Sequence, residues 1–306
     1  MHSDPGVATR HSPPATARAG MSDVRLDHPL FAGIAPYTRW LEAGDGACAK
    51  LNEALDDPTL RFVAQSSDLF GDGLHYEERI ARRGLIATRE HSTHDLFNAM
   101  IWLGHTALKR AMNARQVADI SRVGPKQRTR GQCALTHFDE AGAIVWLDRR
   151  AWLDAWDAHD WPRLFVQHGH AWGERIAVTV IGHALLDYAL MHDEMPVAKA
   201  LAVIVDRDEI VSRSHAAQIA SWPSAERALA RAIASGRCLT DPQELRPLPL
   251  AGIPGWHAGE QSESFCATAP CFRPLRPGRR YPEPLAFVSA GHADACERAL
   301  DPAAIG

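Results

Sequence analysis

Residues 88–116, TREHSTHDLFNAMIWLGHTALKRAMNARQ, decide the fold of this chain. At about 100° per residue, Leu96, Met100 and Leu103 fall on one face of a helix, with further apolar residues beside them. A helix that is apolar around most of its circumference is typical of a protein interior. The stretch therefore predicts one long buried helix, from about residue 93 to about residue 118.

Polar side chains share a narrow arc on the opposite side of this predicted helix: His94, Asn98, His105 and Lys109. Burying such groups is costly unless they are hydrogen-bonded, paired or bound to a metal. We therefore expect the arc to face a partly enclosed cavity. In the first turn, Ser92 and Asp95 fit a capping box, in which the carboxylate bonds back to the Ser92 amide. The alternative is that Asp95 is a metal ligand or a base.

The segment 134–147, ALTHFDEAGAIVWL, has two β-prone runs around a short turn that ends in glycine. This pattern predicts a β-hairpin with Asp139 and Glu140 at its tip. Acidic residues are common at turns for conformational reasons alone. The functional alternative is that one of these carboxylates joins His94 as a ligand or as a general base.

The segment 175–182, RIAVTVIG, predicts a buried strand that leads into a helix beginning at His183. Asp187 follows one helical turn later and is placed to orient the His183 imidazole. The alternative is that His183 only caps or packs the start of the helix.

Imidazole and carboxylate groups of these types are suited to a divalent metal. The predicted metal ligands are His94, Asp95 and His183, and the predicted catalytic residues are His94, Asp139, Glu140 and His183. The sequence contains no HExxH, GxSxG, Walker A or GxGxxG motif. Their absence disfavours the commonest hydrolase and nucleotide-binding classes.

The formal net charge of −4 over 306 residues creates no field that would recruit nucleic acid or an anionic membrane. No apolar run approaches the 18–20 residues of a membrane span, and the first twenty residues lack the apolar core of a secretory signal. We therefore expect a cytoplasmic protein with reduced cysteines, no membrane partner, and nucleic acid disfavoured as a partner.

The mixture of strands, helices and a hairpin predicts a single α+β domain. Residues 1–20 are rich in Pro, Ala, Ser and Thr and are expected to be disordered, so Met21 is a candidate start. Residues 21–238 are expected to form the core. From residue 239 to residue 306, Pro and Gly are frequent, which predicts an extended tail packed on that core.

Ordered blocks between Phe62 and Pro274 carry a family resemblance: FVAQ…YEERIARRGLIATRE, HDLFNAMIWL…KRAMN, RGQCALTHFDEAGAIV, VIGHALL and PLPLAGIPGW…CFRP. They resemble the bacterial family known as domain of unknown function 3025. The resemblance implies a bacterial cytoplasmic protein and assigns no role to any residue. It marks these motif positions: Tyr76, Glu77, His94, Asp95, Asn98, Lys109, Asn113, Asp139, Glu140 and His183.

The chain departs from the family pattern at Gly104 and His105, where a proline is expected, so the resemblance gives no support to His105 as a functional group. Asn98, Lys109 and Asn113 are the predicted substrate-binding residues.

Three functional hypotheses follow from the sequence. The first is a hydrolase assisted by a divalent metal that acts on a phosphoester or similar substrate. The second is a non-catalytic binding or assembly protein in which the polar stripe is a buried structural network. The third is nucleic-acid binding through the basic loop at residues 122–130, which the net charge disfavours.

Overall fold

The computed structural model describes residues 26–124, 126–191, 196–214 and 224–288. The predicted disordered segment 1–20, the candidate start at Met21 and the end of the predicted tail lie outside the described residues. The described part is an α+β fold, as the sequence predicted. Within it, no helix combines the length and the apolar character that crossing a membrane requires.

The α-helices are α1 (Ala47–Glu53), α2 (Tyr76–Arg83), α3 (Thr93–Gly104), α4 (Thr106–Val123), α5 (Arg130–Ala141), α6 (Leu153–Asp157), α7 (His183–Met191), α8 (Arg207–Ser214), α9 (Ser224–Ala234) and α10 (Glu263–Thr268). A 3-10 helix covers Pro29–Trp40, and a π-helix covers Pro162–Gln167. The strands are β1 (Arg61–Ala64), β2 (Leu85–Thr88), β3 (Gly142–Leu147), β4 (Ile176–Val180), β5 (Val197–Val205), β6 (Arg246–Pro249) and β7 (Leu285–Phe287).

The larger sheet has five strands, in the order β4-β3-β5-β6, with β7 also paired to β5. Strand β3 is antiparallel to β4 and parallel to β5. On the edge of β5 away from β3, β6 pairs with residues 197–200 and β7 with residues 203–205. Both of these short strands fall within residues 239–306, so the predicted tail contributes two strands to the sheet. A second, two-stranded sheet joins β1 and β2 in parallel.

The single long helix expected over residues 93–118 is wrong: the chain breaks at His105 into α3 and α4. His105 has φ −139° and ψ 42°, outside the helical region. Its side chain is held instead by Glu226, with Nδ1 2.9 Å from Oε1. The break brings Lys109 Nζ to 2.9 Å from Asn98 Oδ1, although a straight helix would separate the two residues by about 16 Å along its axis.

The predicted β-hairpin over residues 134–147 is also wrong. Its first arm is the helix α5, and only the second arm is a strand, β3. Thr129 and Gln132 form a complete capping box that starts the helix, and the buried side chains of Ala134, Leu135 and Phe138 follow helical spacing. Asp139 and Glu140 therefore lie in the last turn of a helix and not at a hairpin tip.

The strand-to-helix unit predicted for residues 175–191 is present as β4 and α7. Helices α3 and α5 both pack against α7. This packing places the first turn of α3, the last turn of α5 and the first turn of α7 at one point. Each of these turns contributes a polar side chain to the candidate site.

Candidate metal centre

His94 lies in the first turn of α3, where it is half-buried. The turn begins at Ser92, whose Oγ accepts a hydrogen bond of 3.3 Å from the backbone N–H of Asp95. The Asp95 carboxylate accepts hydrogen bonds from the backbone and guanidinium of Arg89, at 2.7–2.9 Å. It does not bond back to the Ser92 amide, so the reciprocal half of the predicted capping box is replaced by an ion pair. That ion pair holds Asp95 outside the cluster that His94 joins.

A glycine contact brings Glu140 and His183 together. The N–H groups of Ile181 and Gly182 both donate to the carbonyl of Gly142, at 3.0 and 2.8 Å. A Cβ atom on Gly182 would lie 2.4 Å from the backbone nitrogen of Gly142, closer than any real Cβ contact. The absence of a side chain at Gly182 therefore lets the start of α7 approach the end of α5.

Three side chains from the three helices point their ligand atoms at one another. The Nε2 atoms of His94 and His183 are 3.1 Å apart, and Glu140 Oε2 lies 3.9 Å from the first and 3.6 Å from the second. A triangle with these sides has its centre about 2.1 Å from each corner, and the bonds of zinc to imidazole nitrogen or carboxylate oxygen are about 2.0–2.2 Å long. The three residues therefore have the spacing of ligands that share one ion.

Each imidazole of this triad turns its other nitrogen toward a carboxylate. Nδ1 of His94 lies 3.8 Å from Asp187 Oδ2, and Nδ1 of His183 lies 4.0 Å from Asp139 Oδ2. Histidines that bind metals almost always have such a partner, which fixes the ring and raises its basicity. Nδ1 of His183 is buried and makes no hydrogen bond within the described residues. Both carboxylates need to approach by about 1 Å to complete the pattern.

The electrostatics of the cluster suit a cation. Burial lowers the pKa of His183 to about 4, so its imidazole is neutral near pH 7 and its lone pair is available. Burial raises the pKa of Glu140, against the opposing charge of nearby basic groups. Burial also disfavours ionisation of Asp139, but the adjacent Lys109 ammonium outweighs it, and the pKa of Asp139 lies below its usual range.

A hydrogen-bond network supports the triad from α2, α3 and α4. The Lys109 ammonium donates to Asp139 Oδ1 and to Asn98 Oδ1, and Asn98 Nδ2 donates to the Tyr76 hydroxyl at 3.1 Å. Burial raises the pKa of Tyr76, with a contribution from the neighbouring Glu77, so the phenol stays neutral. This network explains how a buried lysine is tolerated, because its charge has two oxygen partners.

Asn113 lies one helical turn beyond Lys109 on α4. Its Nδ2 donates to the backbone carbonyl of Glu77 at 2.9 Å and to the carboxylate of Glu77 at 2.6 Å. Burial raises the pKa of Glu77, and the hydrogen bond from Asn113 opposes that rise. Asn113 therefore anchors the start of α2 against α4.

The network borders a cavity of about 410 Å³ that is open to solvent on one side. Its walls include side chains from the triad, the network and the loop before α5: Tyr76, Asn98, Lys109, Asn113, Arg128, Asp139, Glu140 and His183. The volume is within the usual range for small-molecule sites, about 300–1,000 Å³. A ligand in this cavity would have access to the triad.

Most of the predicted site residues come together here: His94, Asn98, Lys109, Asn113, Asp139, Glu140 and His183. Asp95 does not, because Arg89 binds it, and His105 does not, because it turns toward Glu226. Asp187 was expected to orient His183 but faces His94. Sequence reasoning missed Gln116 and Gln127 as lining residues, and it considered Arg128 only as part of the basic loop at residues 122–130. The spacing of Lys109, Asn113 and Gln116 along one helical face was the available signal for Gln116.

Of three comparisons with known proteins, the one with protein families gave a match. Neither the comparison with curated proteins nor the comparison with solved structures gave a match. The family described as "Protein of unknown function (DUF3025)" matches residues 60–276, which include β1 through β6 and all the residues of the triad. The chain therefore belongs to the DUF3025 family.

Proposed function

We propose that this protein is a metal-dependent hydrolase whose ion is held by His94, His183 and Glu140. The observation that supports this best is the triangle of ligand atoms, with sides of 3.1, 3.6 and 3.9 Å. The two imidazole nitrogens are within hydrogen-bond distance of each other, but both separations to Glu140 Oε2 are too long for hydrogen bonds, so the carboxylate is not satisfied by the two histidines. The three separations fit ligands around a shared ion.

The donor set favours catalysis over a purely structural ion. Catalytic zinc sites use three protein ligands and leave a position for water or substrate, and two histidines with one glutamate is a set found in zinc peptidases. Structural zinc sites are usually closed by four ligands, often cysteines. Here two of the three ligands, Glu140 and His183, line a cavity, which provides the open side.

Hydrolysis of an acyl bond fits this site better than the phosphoester expected from the sequence. Many phosphoryl-transfer enzymes use two ions about 3.5–4 Å apart, whereas the described residues contain one group of three or more suitable ligands. A single ion held by these residues would supply a nucleophilic water near neutral pH and polarise the scissile carbonyl. The water oxygen would bond to the acyl carbon as the bond to the leaving group breaks, and the proton lost by that water would pass to the leaving group.

The surrounding residues have separate tasks in this proposal. Asp139 and Asp187 orient the two imidazoles, and Lys109 keeps Asp139 ionised. The neutral Tyr76 hydroxyl lines the cavity and donates a hydrogen bond to the substrate oxygen as negative charge develops there. Asn98 holds both Lys109 and Tyr76 in place.

The first experiment is metal analysis by inductively coupled plasma mass spectrometry on the full chain, after chelation and after reloading with Zn²⁺ or Mn²⁺. We expect about one ion per chain, its loss in His94→Ala and His183→Ala, and hydrolysis of peptide or ester substrates only by the loaded chain. His91→Ala is the matched control, since this exposed histidine precedes the same helix and pairs with Asp45.

Folded His94→Ala and His183→Ala variants that keep the ion would refute this assignment. An intact chain that binds no ion on reloading would favour the binding or assembly hypothesis. In that case the cluster would be a structural polar network in which Glu140 Oε2 makes no hydrogen bond to either imidazole. Hydrolysis of phosphate esters alone would restore the phosphoester expectation.

A further inference from the structure

The cavity beside the triad is a groove between α4 and α5. The two helices run antiparallel, because Lys109 contacts Asp139 at one end and Thr129 donates to Asp119 at the other, over 2.7 Å. The lining residues fall on one face of each helix. They are Lys109, Met112, Asn113, Gln116 and Ile120 from α4, and Gln132, Thr136, Asp139 and Glu140 from α5.

The groove is long compared with a single scissile bond. From Lys109 to Ile120, α4 rises about 16 Å at 1.5 Å per residue. The triad residues Glu140 and His183 line one end, and Gln127 and Arg128 line the other. An extended peptide advances about 3.3 Å per residue, so about five residues would span the groove.

The two ends differ in how their polar groups are used. Near the triad, the side chains of Asn98, Lys109 and Asn113 all make hydrogen bonds to other residues of the protein. At the far end, the side chains of Gln116 and Arg128 make no hydrogen bond with any part of the chain that the structure describes. The far end therefore has donors and acceptors to offer a ligand.

Arg128 also differs from the arginines beside it. Arg122 is paired with Asp119 at 2.8 Å, and Arg130 is paired with Asp241 through two contacts. Arg128 forms no ion pair among the described residues, yet its side chain lines the groove. Arg128 is exposed and lies at the open end of the groove. An unpaired guanidinium there is suited to a carboxylate, which it binds through two parallel hydrogen bonds.

We propose that the substrate is a peptide of about four or five residues beyond the cleaved bond, with its terminal carboxylate on Arg128. The amide side chains of Gln116 and Gln127 both donate and accept, as peptide groups along an extended chain require. This inference rests on the proposed hydrolase function for the cleavage step. The binding step depends on Arg128 and the groove, and it can be measured without the ion.

The test is calorimetric titration of the chelator-treated full chain with N-acetyl-alanine peptides of two to six residues, each as the free acid and as the terminal amide. We expect affinity to rise up to about five residues and the acid to bind at least about tenfold more tightly than the amide. Arg128→Gln should remove this preference. Arg122→Gln, a neighbouring exposed arginine with a protein partner, should keep it.

Equal affinity for acids and amides, retention of the preference in Arg128→Gln, or no binding of any peptide would each overturn the proposal. The same peptides, incubated with the zinc-loaded chain and analysed by mass spectrometry, report on cleavage separately. Carboxylate-dependent binding without cleavage would keep the groove assignment and count against the hydrolase. Equal cleavage of the free acids and the terminal amides would support the hydrolase and count against the assignment of the groove.

Discussion

Two histidines that follow each other along residues 88–116 meet carboxylates in opposite ways. His105 and Glu226 are both buried, and their Nδ1 and Oε1 atoms are at hydrogen-bond distance, 2.9 Å. His94 stands 3.9 Å from Glu140, with a second imidazole 3.1 Å away. The first is a buried hydrogen-bonded contact that joins the break between α3 and α4 to α9. In the second, the carboxylate lies beyond hydrogen-bond distance of His94, a spacing that suits ligands of a shared ion. The distance from imidazole to carboxylate therefore distinguishes the candidate site from the structural contact.

The largest expected effect comes from removing one histidine from each of the two regions and comparing the variants. His183→Ala should abolish stoichiometric metal binding and hydrolysis, because it removes one of three ligands. His105→Ala should leave metal content unchanged but lower the free energy of unfolding by about 3 kcal/mol, since Glu226 would be left buried without this partner. Metal analysis and urea denaturation of both variants measure the two effects. Loss of metal in the His105 variant would show that the two regions are coupled.

A smaller effect is expected from adding a side chain at Gly182, where the start of α7 contacts the end of α5. Gly182→Ala places a Cβ 2.4 Å from the Gly142 nitrogen, so α7 must move away from α5. Such overpacking typically costs about 1–3 kcal/mol, and the displacement should also weaken metal binding. Competition with a chromogenic chelator measures the affinity. A Gly71→Ala variant, at a glycine with open space around it, is the control.

Asp139→Asn tests the role assigned to the outer carboxylates. Loss of a carboxylate that orients a ligating histidine typically reduces metal affinity by about 10–100-fold. The variant should therefore bind the ion more weakly without losing it. Affinity equal to that of the natural chain would show that Asp139 does not act on His183.

The smallest effect concerns Asp72, which pairs with the buried Arg79 and also with Arg83. Hydrogen bonds from Arg79 lower the pKa of Asp72 from 3.8 to about 2. Because the folded pKa is the lower one, the pair contributes stability above pH 3.8 and loses it as the pH falls toward 2. The difference in melting temperature between the natural chain and Asp72→Asn should shrink over that range. A difference that stays constant with pH would contradict the lowered pKa.

Much of the candidate site could be predicted from single residues, and little of its assembly could. His94 and His183 were identifiable because each imidazole stands in the first turn of an apolar helix, where a polar group needs a partner. Glu140 was placed on a hairpin because its segment is rich in β-prone residues, and the Thr129–Gln132 capping box was overlooked.

The helix break at His105 could not be predicted from the periodicity of the apolar residues. The apolar pattern continues from α3 into α4 without a phase change, so it predicts one straight helix. The energy that bends the chain comes from contacts far along the sequence, such as that between His105 and Glu226. The contact between Lys109 and Asn98 exists only because of this bend.

Strand β5 has a consequence for how the chain is made. Its outer edge is completed by β6 and β7, which are synthesised after the rest of the sheet. Until the ribosome has released Arg246 and the residues that follow it, a nascent chain would carry an uncovered strand edge, which readily pairs with other copies. Chains truncated before Arg246 should therefore be less soluble than the full chain, which expression and sedimentation of both would measure.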